Sequence, residues 1–376
     1  MLALEVVFWV AAGLLVYTHA GYPLLLWLLA GRRRERPPRP PEELPSVSLI
    51  IAAYDEEAVI ADKVRNALAL DYPRERLEVI VASDGSGDAT VERAREAGAD
   101  LVLDLPRGGK IRAQDQAVEH ASGEILAFSD ANSFWESDAL RELVAPFADP
   151  RVGYVCGQVR FVNDAGDNQE GVYWRYEMAI RSLESRLAGV TGGNGAIYAV
   201  RREDYLVVDP RMGHDLSFPF NMVKRGRRPV YAPSARATER MVPTIEGEFA
   251  RKRRMMSHAW LIVLKGGLLS PRGYGLAYAW EILSHRLLRY VTPFLHLVAL
   301  AANVWLAAAG AGWVYVVTLA AQLALLAAAA LGPLVPARPF RLAYYYVLVT
   351  ASLAAGLWDW LRTGTPAGWE KAEGTR

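Results

Sequence analysis

The sequence predicts an α/β fold, a mostly parallel sheet flanked by helices, set between transmembrane α-helices, one N-terminal and about three C-terminal. Three observations predict it. Between Ser46 and about Glu239, short apolar runs alternate with amphipathic stretches, the rhythm of strand–helix units feeding one sheet. Residues 6–30, VVFWVAAGLLVYTHAGYPLLLWLLA, carry no Asp, Glu, Lys or Arg and are long enough to cross a bilayer. Three further apolar stretches lie near 287–309, 313–334 and 343–361.

The first span, assigned to 1–31, has an acidic Glu5 and no basic residue at its N-terminus and RRRER after it, the reverse of a signal peptide's charge order. The positive-inside rule puts 32–39 in the cytoplasm and the N-terminus outside. His19, Gly21 and Pro23 mark a kinked, packed helix. Residues 32–45 form a basic, Pro-rich linker, stiff enough to hold the next unit off the membrane. The α/β unit spans 46–245 and is expected to be catalytic. In order come VSLIIAAY, a helix at 56–69, LEVIVASD, a helix at 88–97, LVLD, a helix at 110–121, and EILAFSD. Residues 246–283 read as amphipathic interfacial helices, 284–361 as the C-terminal spans, and 362–376 as a tail. The loop VPARPFR holds two arginines and belongs in the cytoplasm. Three full crossings then place the tail outside; a re-entrant last segment, with Asp359 near its exit, would place it inside.

A net charge of +1 leaves no basic surplus for a phosphate backbone, so no nucleic-acid partner is expected. The single cysteine, Cys156, excludes an intrachain disulfide and reads as a small core residue.

Polar groups collect at the strand ends. The first strand ends in AAYDEE (52–57), the second in SDGSGDAT (83–90), the third is followed by RGGK with Lys110 opening a helix, and the fourth ends in Asp130-Ala-Asn132. Residues two apart on a strand share a face, so Asp130 and Asn132 can enter one pocket; alone, such a tetrapeptide is a turn and helix cap. Ligands of parallel sheets bind beyond the carboxyl ends of the strands. Acidic and amide oxygens suit a hard divalent cation and a lysine suits phosphate, so the constellation fits a metal-bound nucleotide diphosphate. GGK lacks the P-loop frame, and no Gly-x-Gly-x-x-Gly follows the first strand.

Four blocks in order, VSLIIAAYDEE, LEVIVASDGSGDAT, GGKIRAQDQAVEHASGEILAFSDAN and TGGNGAIYAVRR (191–202), make the chain resemble a family 2 glycosyltransferase of the membrane-bound, cellulose-synthase-like group. The likeness covers about 44–255. It implies a GT-A nucleotide-sugar-binding domain in which Ala52, Tyr54 and Glu56 line the nucleoside, and Asp84 accepts a hydrogen bond from the base, favouring uracil. It further implies that Lys110 sits near the diphosphate, and that Asp130 and Asn132 hold a divalent cation, Mg²⁺ or Mn²⁺. Asn132 departs from the family's second aspartate; Asp115 stands where relatives carry Asn.

Inverting transfer needs a carboxylate to take the acceptor's proton. Asp215, in RMGHDLSFPFNMVKRG, matches the family's base position, with N-capping as its structural alternative. His214 replaces the usual acidic neighbour and either tunes Asp215 or caps the helix. Gly193, Asn194 and Gly195 form the loop at the donor-sugar and acceptor boundary, where glycines permit close approach and positive φ. Trp135 and Trp174 could stack on sugars but are commoner as core residues. Arg251 and Arg254 stand one helical turn apart, where processive relatives carry Gln-x-x-Arg-Trp. They suit a diphosphate or, as part of a basic amphipathic helix, anionic lipid.

The expected function is transfer of a sugar from a nucleotide-sugar, by the resemblance a UDP-sugar, to a lipid-linked or membrane-borne glycan acceptor. The expected place is the cytoplasmic face of a plasma membrane that the chain crosses several times. A processive synthase extruding polysaccharide is the alternative, and a non-catalytic sensor or transporter the remote one. The bilayer and other envelope-glycan enzymes are the implied partners.

Overall fold

The computed structural model describes residues 1–31, 43–162, 171–240, 245–335, 337–365 and 368. The linker at 32–42 and most of the tail fall outside the described residues. Helices α1 (Leu2–Val16) and α2 (Tyr22–Ala30) come first, joined by a π-helical turn at Tyr17–Gly21. There follow β1 (Val47–Ala53), α3 (Ile60–Leu68), β2 (Leu77–Asp84), α4 (Thr90–Glu96), β3 (Leu101–Leu105), α5 (Lys110–His120) and β4 (Ile125–Asp130). Then come β5 (Phe134–Trp135), α6 (Ala139–Val144), β6 (Val152–Val162), α7 (Val172–Leu187), β7 (Ile197–Arg201), α8 (His214–Lys224) and β8 (Arg228–Arg240). The chain continues through α9 (Ile245–Lys265), α10 (Leu276–Glu281), α11 (Leu288–Ala308), α12 (Trp313–Leu331) and α13 (Arg338–Thr363).

Two compact units emerge. One comprises Leu26–Thr244, Leu261–Ala279 and Thr365–Arg376; the other comprises Met1–Leu25, Ile245–Trp260 and Trp280–Gly364. In the first, eight strands form one sheet in the order β3-β2-β1-β4-β7-β6-β8-β5. β1 to β4 pair in parallel, as the strand–helix rhythm predicts. The second half is mixed: β7 runs antiparallel to β4 and β6, while β6 and β8 are parallel.

Successive residues of the central strands feed opposite cores, as the pleat requires. Leu49, Ile51, Val79, Val81 and Ala127 pack with Val64 of α3 and Leu140 and Leu143 of α6. Ile50, Ile80, Ala82, Leu126 and Phe128 pack with Ala113 and Ala117 of α5, Tyr198 and Phe218. Both faces are therefore covered, which is why these strands are unbroken apolar runs rather than alternating ones.

In the other unit, Phe8 and Ala11 of α1 pack against Ala299, Ala302 and Leu306 of α11 and Tyr315 of α12. Where the sequence predicts a kink, the helix makes a π turn at Tyr17–Gly21. A second π turn, Ile282–Leu287, links α10 to α11. Ser284 Oγ lies 2.8 Å from Tyr17 Oη, which also accepts from Trp280 Nε1 at 2.8 Å. Among the described residues four helices are long and apolar enough to cross a membrane: Leu2–Ala30, Leu276–Ala308, Trp313–Leu331 and Arg338–Thr363. The second begins earlier than its hydropathy suggests, and the last is unbroken. Asp359, the charge that made α13 ambiguous, accepts two hydrogen bonds of 2.6 Å from Arg253 of α9, so its charge is paired.

Candidate active site

The first two strand ends are bolted together. Asp55, the one non-glycine among the described residues with positive φ (48°), accepts from the Gly87 amide at 2.7 Å. The amide of Asp55 donates to Ser86 Oγ and that of Glu56 to Thr90 Oγ1. Ala52 and Glu56 are buried. Tyr54 carries the Arg107 guanidinium 3.3 Å above its ring. Asp84, only 2% exposed, accepts from Arg107 Nη1 at 2.6 Å and from the Gly108 and Gly109 amides at 2.7 and 2.9 Å. Its carboxylate thus fixes the turn that opens α5. Gly85 takes φ +69°, and a Cβ there would meet the Arg107 amide nitrogen at 2.7 Å. β2 and the 107–109 turn are therefore in close approach.

That turn aims Lys110 at the end of β4. Its ammonium forms an ion pair with Asp130 Oδ1, the two side chains 17% and 18% exposed. Beneath the turn that follows β4 lies Lys63 of α3, fully buried. It donates to Ser133 O at 2.6 Å, with its ammonium 5.1 Å from the Trp135 ring centroid. Burial lowers the Lys63 pKa to about 7, opposed by the charges of Asp130 and Glu239. Asp130 could give a divalent cation a carboxylate and Asn132 an amide oxygen. Among the described residues no group of three or more His, Cys, Asp or Glu is placed to hold a metal. Two protein donors fit a cation that takes its remaining oxygens from diphosphate and water.

The glycine loop joins this pair to the candidate base. A Cβ on Gly195 would meet Lys110 Nζ at 3.1 Å and Asp130 Oδ2 at 3.8 Å. The Gly193 amide donates to Asp215 O at 2.6 Å, and Arg181 Nη2 donates to Gly193 O at 3.0 Å. Asn194 Oδ1 accepts from the Ala196 and Ile197 amides, and its Nδ2 donates to Gly157 O, so this side chain shapes the loop. Neither Gly193 nor Gly195 takes positive φ; close approach, not backbone handedness, selects glycine here.

Asp215 is half-buried in the first turn of α8. The N-cap is Gly213, and a Cβ there would sit 2.6 Å from Asp215 Oδ1. Capping is therefore not the role of Asp215. His214 is a core residue: Nδ1 lies 2.7 Å from Tyr198 Oη, and Phe128, Tyr198, Tyr205 and Phe218 surround it at centroid distances of 4.4–6.0 Å. Burial, with a smaller effect from Lys110, lowers its pKa to about 3, so the ring is neutral in the working range.

A Cβ on Gly193 would overlap Tyr154 Oη, a buried hydroxyl without a hydrogen-bond partner among the described residues. We predict that Gly193→Ala lowers stability by about 1–3 kcal/mol through overpacking and displaces the loop. Tyr154→Phe, which removes the obstructing oxygen, restores most of the loss. Thermal melts of the two single variants and the double variant measure this; equal melting points for Gly193→Ala with and without Tyr154→Phe would contradict it.

The structure thus brings together, in one unit, Ala52, Tyr54, Glu56, Asp84, Lys110, Asp130, Asn132, Gly193, Asn194, Gly195, His214 and Asp215. Arg251 and Arg254 lie on α9 in the other compact unit, where Arg251 Nε pairs with Glu248 at 2.8 Å. Trp135 and Trp174 are structural, their indole N–H groups donating to Ala196 O and Val159 O. Asp115 accepts from Tyr205 Oη at 2.6 Å, and burial raises its pKa to about 6. Sequence reasoning missed Lys63 and Arg107. Lys63 had a signal, since it falls on the apolar stripe Ile60, Val64, Ala67 of α3.

The family model described as Glycosyl transferase family 2 matches residues 48–207. Poly-beta-1,6-N-acetyl-D-glucosamine synthase of Staphylococcus aureus (strain COL) is 26% identical over 238 residues, 60% of this chain and 57% of the relative. Beta-monoglucosyldiacylglycerol synthase of Trichormus variabilis is 29% identical over 280 residues, 66% of this chain and 57% of the relative. The chain thus spans 57% of the length of these curated relatives. Among solved structures, the mannosyltransferase PcManGT from Pyrobaculum calidifontis, in complex with GDP-Man and Mn²⁺, is similar over 95% of this chain and 99% of its own. The TM-score is 0.70 at 26% identity.

Proposed function

We propose that the chain, whose residues 48–207 match the Glycosyl transferase family 2 model, is a glycosyltransferase that carries out an inverting transfer from a nucleotide-sugar to a membrane-borne acceptor. One observation carries it. The Gly193–Gly195 loop lies against both the Lys110–Asp130 pair and the first turn of α8 with Asp215, so a group that handles diphosphate and a carboxylate base flank one short loop. Asp215 takes the proton of the acceptor hydroxyl as that oxygen attacks the anomeric carbon. Lys110 neutralises oxygens of the departing diphosphate. Asp130 and Asn132 would hold a divalent cation, whose chemistry is to spread the leaving group's charge. Tyr54, Arg107 and Asp84 form the end of the site that takes the nucleoside.

A membrane-borne acceptor is supported by the four helices, among the described residues, that have the length and composition to cross a bilayer. The basic segments 32–39 and 336–341 support a cytoplasmic site. A single transfer fits the absence from the sequence of Gln-x-x-Arg-Trp at 251–255. The role that the family resemblance gives Asp84 supports a UDP-sugar donor; a GDP-sugar is the second reading, favoured by the GDP-Man complex of the mannosyltransferase similar over 95% of this chain. Consumption of a panel of UDP- and GDP-sugars by the purified protein, with Mn²⁺ and membrane lipid, tests both. Turnover of neither class would remove the proposal.

A further inference from the structure

The charges around the end of β4 suit a metal–nucleotide complex better than a metal. Asp130 carries one negative charge, and the Lys110 ammonium is already paired with it. The second position of the motif is Asn132, which is neutral. Lys63 directs an N–H donor into the same turn from the core side, at Ser133 O. Among the described residues no group of three or more His, Cys, Asp or Glu is placed to hold a metal. A free divalent cation approaching Asp130 would meet a site whose one carboxylate is compensated, and it would have to displace an ammonium held against Gly195. A free nucleotide diphosphate meets the opposite difficulty. If Lys110 leaves Asp130 to pair with phosphate, the bare carboxylate repels that phosphate. When both arrive, the charges alternate from Asp130 to cation to diphosphate to Lys110, and each repulsion is relieved.

Resting on the nucleotide-sugar reading above, we infer that Lys110 is a built-in counter-ion of Asp130 and makes metal and nucleotide binding mutually dependent. The cation then enters as part of a nucleoside diphosphate complex, and Lys110 passes from Asp130 to the diphosphate as it enters. No covalent bond changes; the ion pair Lys110–Asp130 is exchanged for two others. Lys110 thereby acts on ordering as well as on affinity, a role distinct from simple phosphate binding.

The test is Mn²⁺ binding, read by the loss of the free-ion paramagnetic resonance signal. It is run on the full chain in detergent, with and without UDP, and again with GDP. For the natural protein, nucleotide is expected to tighten Mn²⁺ binding by about 100-fold, toward the upper end of ordinary coupling between sites. In Lys110→Met, Mn²⁺ alone should bind at least about tenfold more tightly than in the natural protein, and the coupling should fall to about tenfold or less. Lys110→Gln should behave the same way and serves where the Met variant does not fold. A residue that merely bound phosphate would weaken nucleotide binding without any gain in affinity for Mn²⁺ alone. That result, or nucleotide-independent Mn²⁺ binding by the natural protein, overturns the inference and leaves the donor reading intact. Failure of UDP and GDP to bind even with Mn²⁺ present would instead overturn the donor reading, and this inference with it.

Discussion

Asp215→Asn is expected to reduce sugar transfer by about 10²- to 10⁴-fold, the usual effect of removing a positioned general base, while nucleotide binding stays within a few-fold of the natural protein. The geometry separates the two properties. Asp215 lies on α8, and its contact with the glycine loop runs through its carbonyl oxygen, which accepts from the Gly193 amide. An asparagine retains that bond and the side-chain shape but has no basic oxygen. The proposed nucleoside end, with Tyr54, Asp84 and Arg107, stands just after β1, at the end of β2 and in the turn before α5. Because the N-cap of α8 is Gly213, the variant should melt near the natural protein. Single-turnover transfer and nucleotide titration on the same preparation check both halves; transfer at near-natural rates would move the base elsewhere.

Asp130→Ala is expected to affect binding as well as rate. It removes the carboxylate proposed for the cation and leaves the Lys110 ammonium without its ion-pair partner beside Gly195. Loss of one electrostatic stabiliser of the leaving group typically lowers turnover by about 10²- to 10³-fold, and here Mn²⁺-dependent nucleotide affinity should fall with it. The strand itself should survive, because Ile125 to Ser129 are buried in the two cores whatever stands at position 130. The companion Asn132→Asp, which adds a stronger ligand, should tighten Mn²⁺ binding or leave it unchanged. Calorimetric titration with UDP and Mn²⁺ reads both variants, and unaltered affinity in Asp130→Ala would contradict the placement of the cation.

The first half of the α/β unit was legible because its signals are local. β1, β2 and β4 are continuous apolar runs, each ending in polar residues, and parallel order follows from the helices between them. The site residues at those ends came with them. The second half was not legible in the same way. β7 is only five residues long and runs antiparallel between β4 and β6, a placement set by pairing across long stretches of chain rather than by any periodicity. The partners of Asp84 were equally hidden, since the amides of Gly108 and Gly109 have no side-chain signature. His214 shows the limit of reading neighbours from sequence. Its place beside Asp215 suggested tuning or capping, yet its ring is a neutral core member bonded to Tyr198. The charge within α13 was ambiguous for a similar reason, because the partner of Asp359, Arg253, lies 106 residues earlier.

The central claim, transfer of a sugar to a membrane-borne acceptor, is tested most directly by the product. Purified full-length protein is incubated with membrane lipid, Mn²⁺ and each UDP- or GDP-sugar, and the lipid extract and aqueous phase are analysed by mass. The expected product is a lipid species heavier by one sugar residue, formed in step with release of the nucleoside diphosphate and lost in Asp215→Asn. Intact nucleotide-sugar after prolonged incubation, or a water-soluble polymer with no glycosylated lipid, would contradict it.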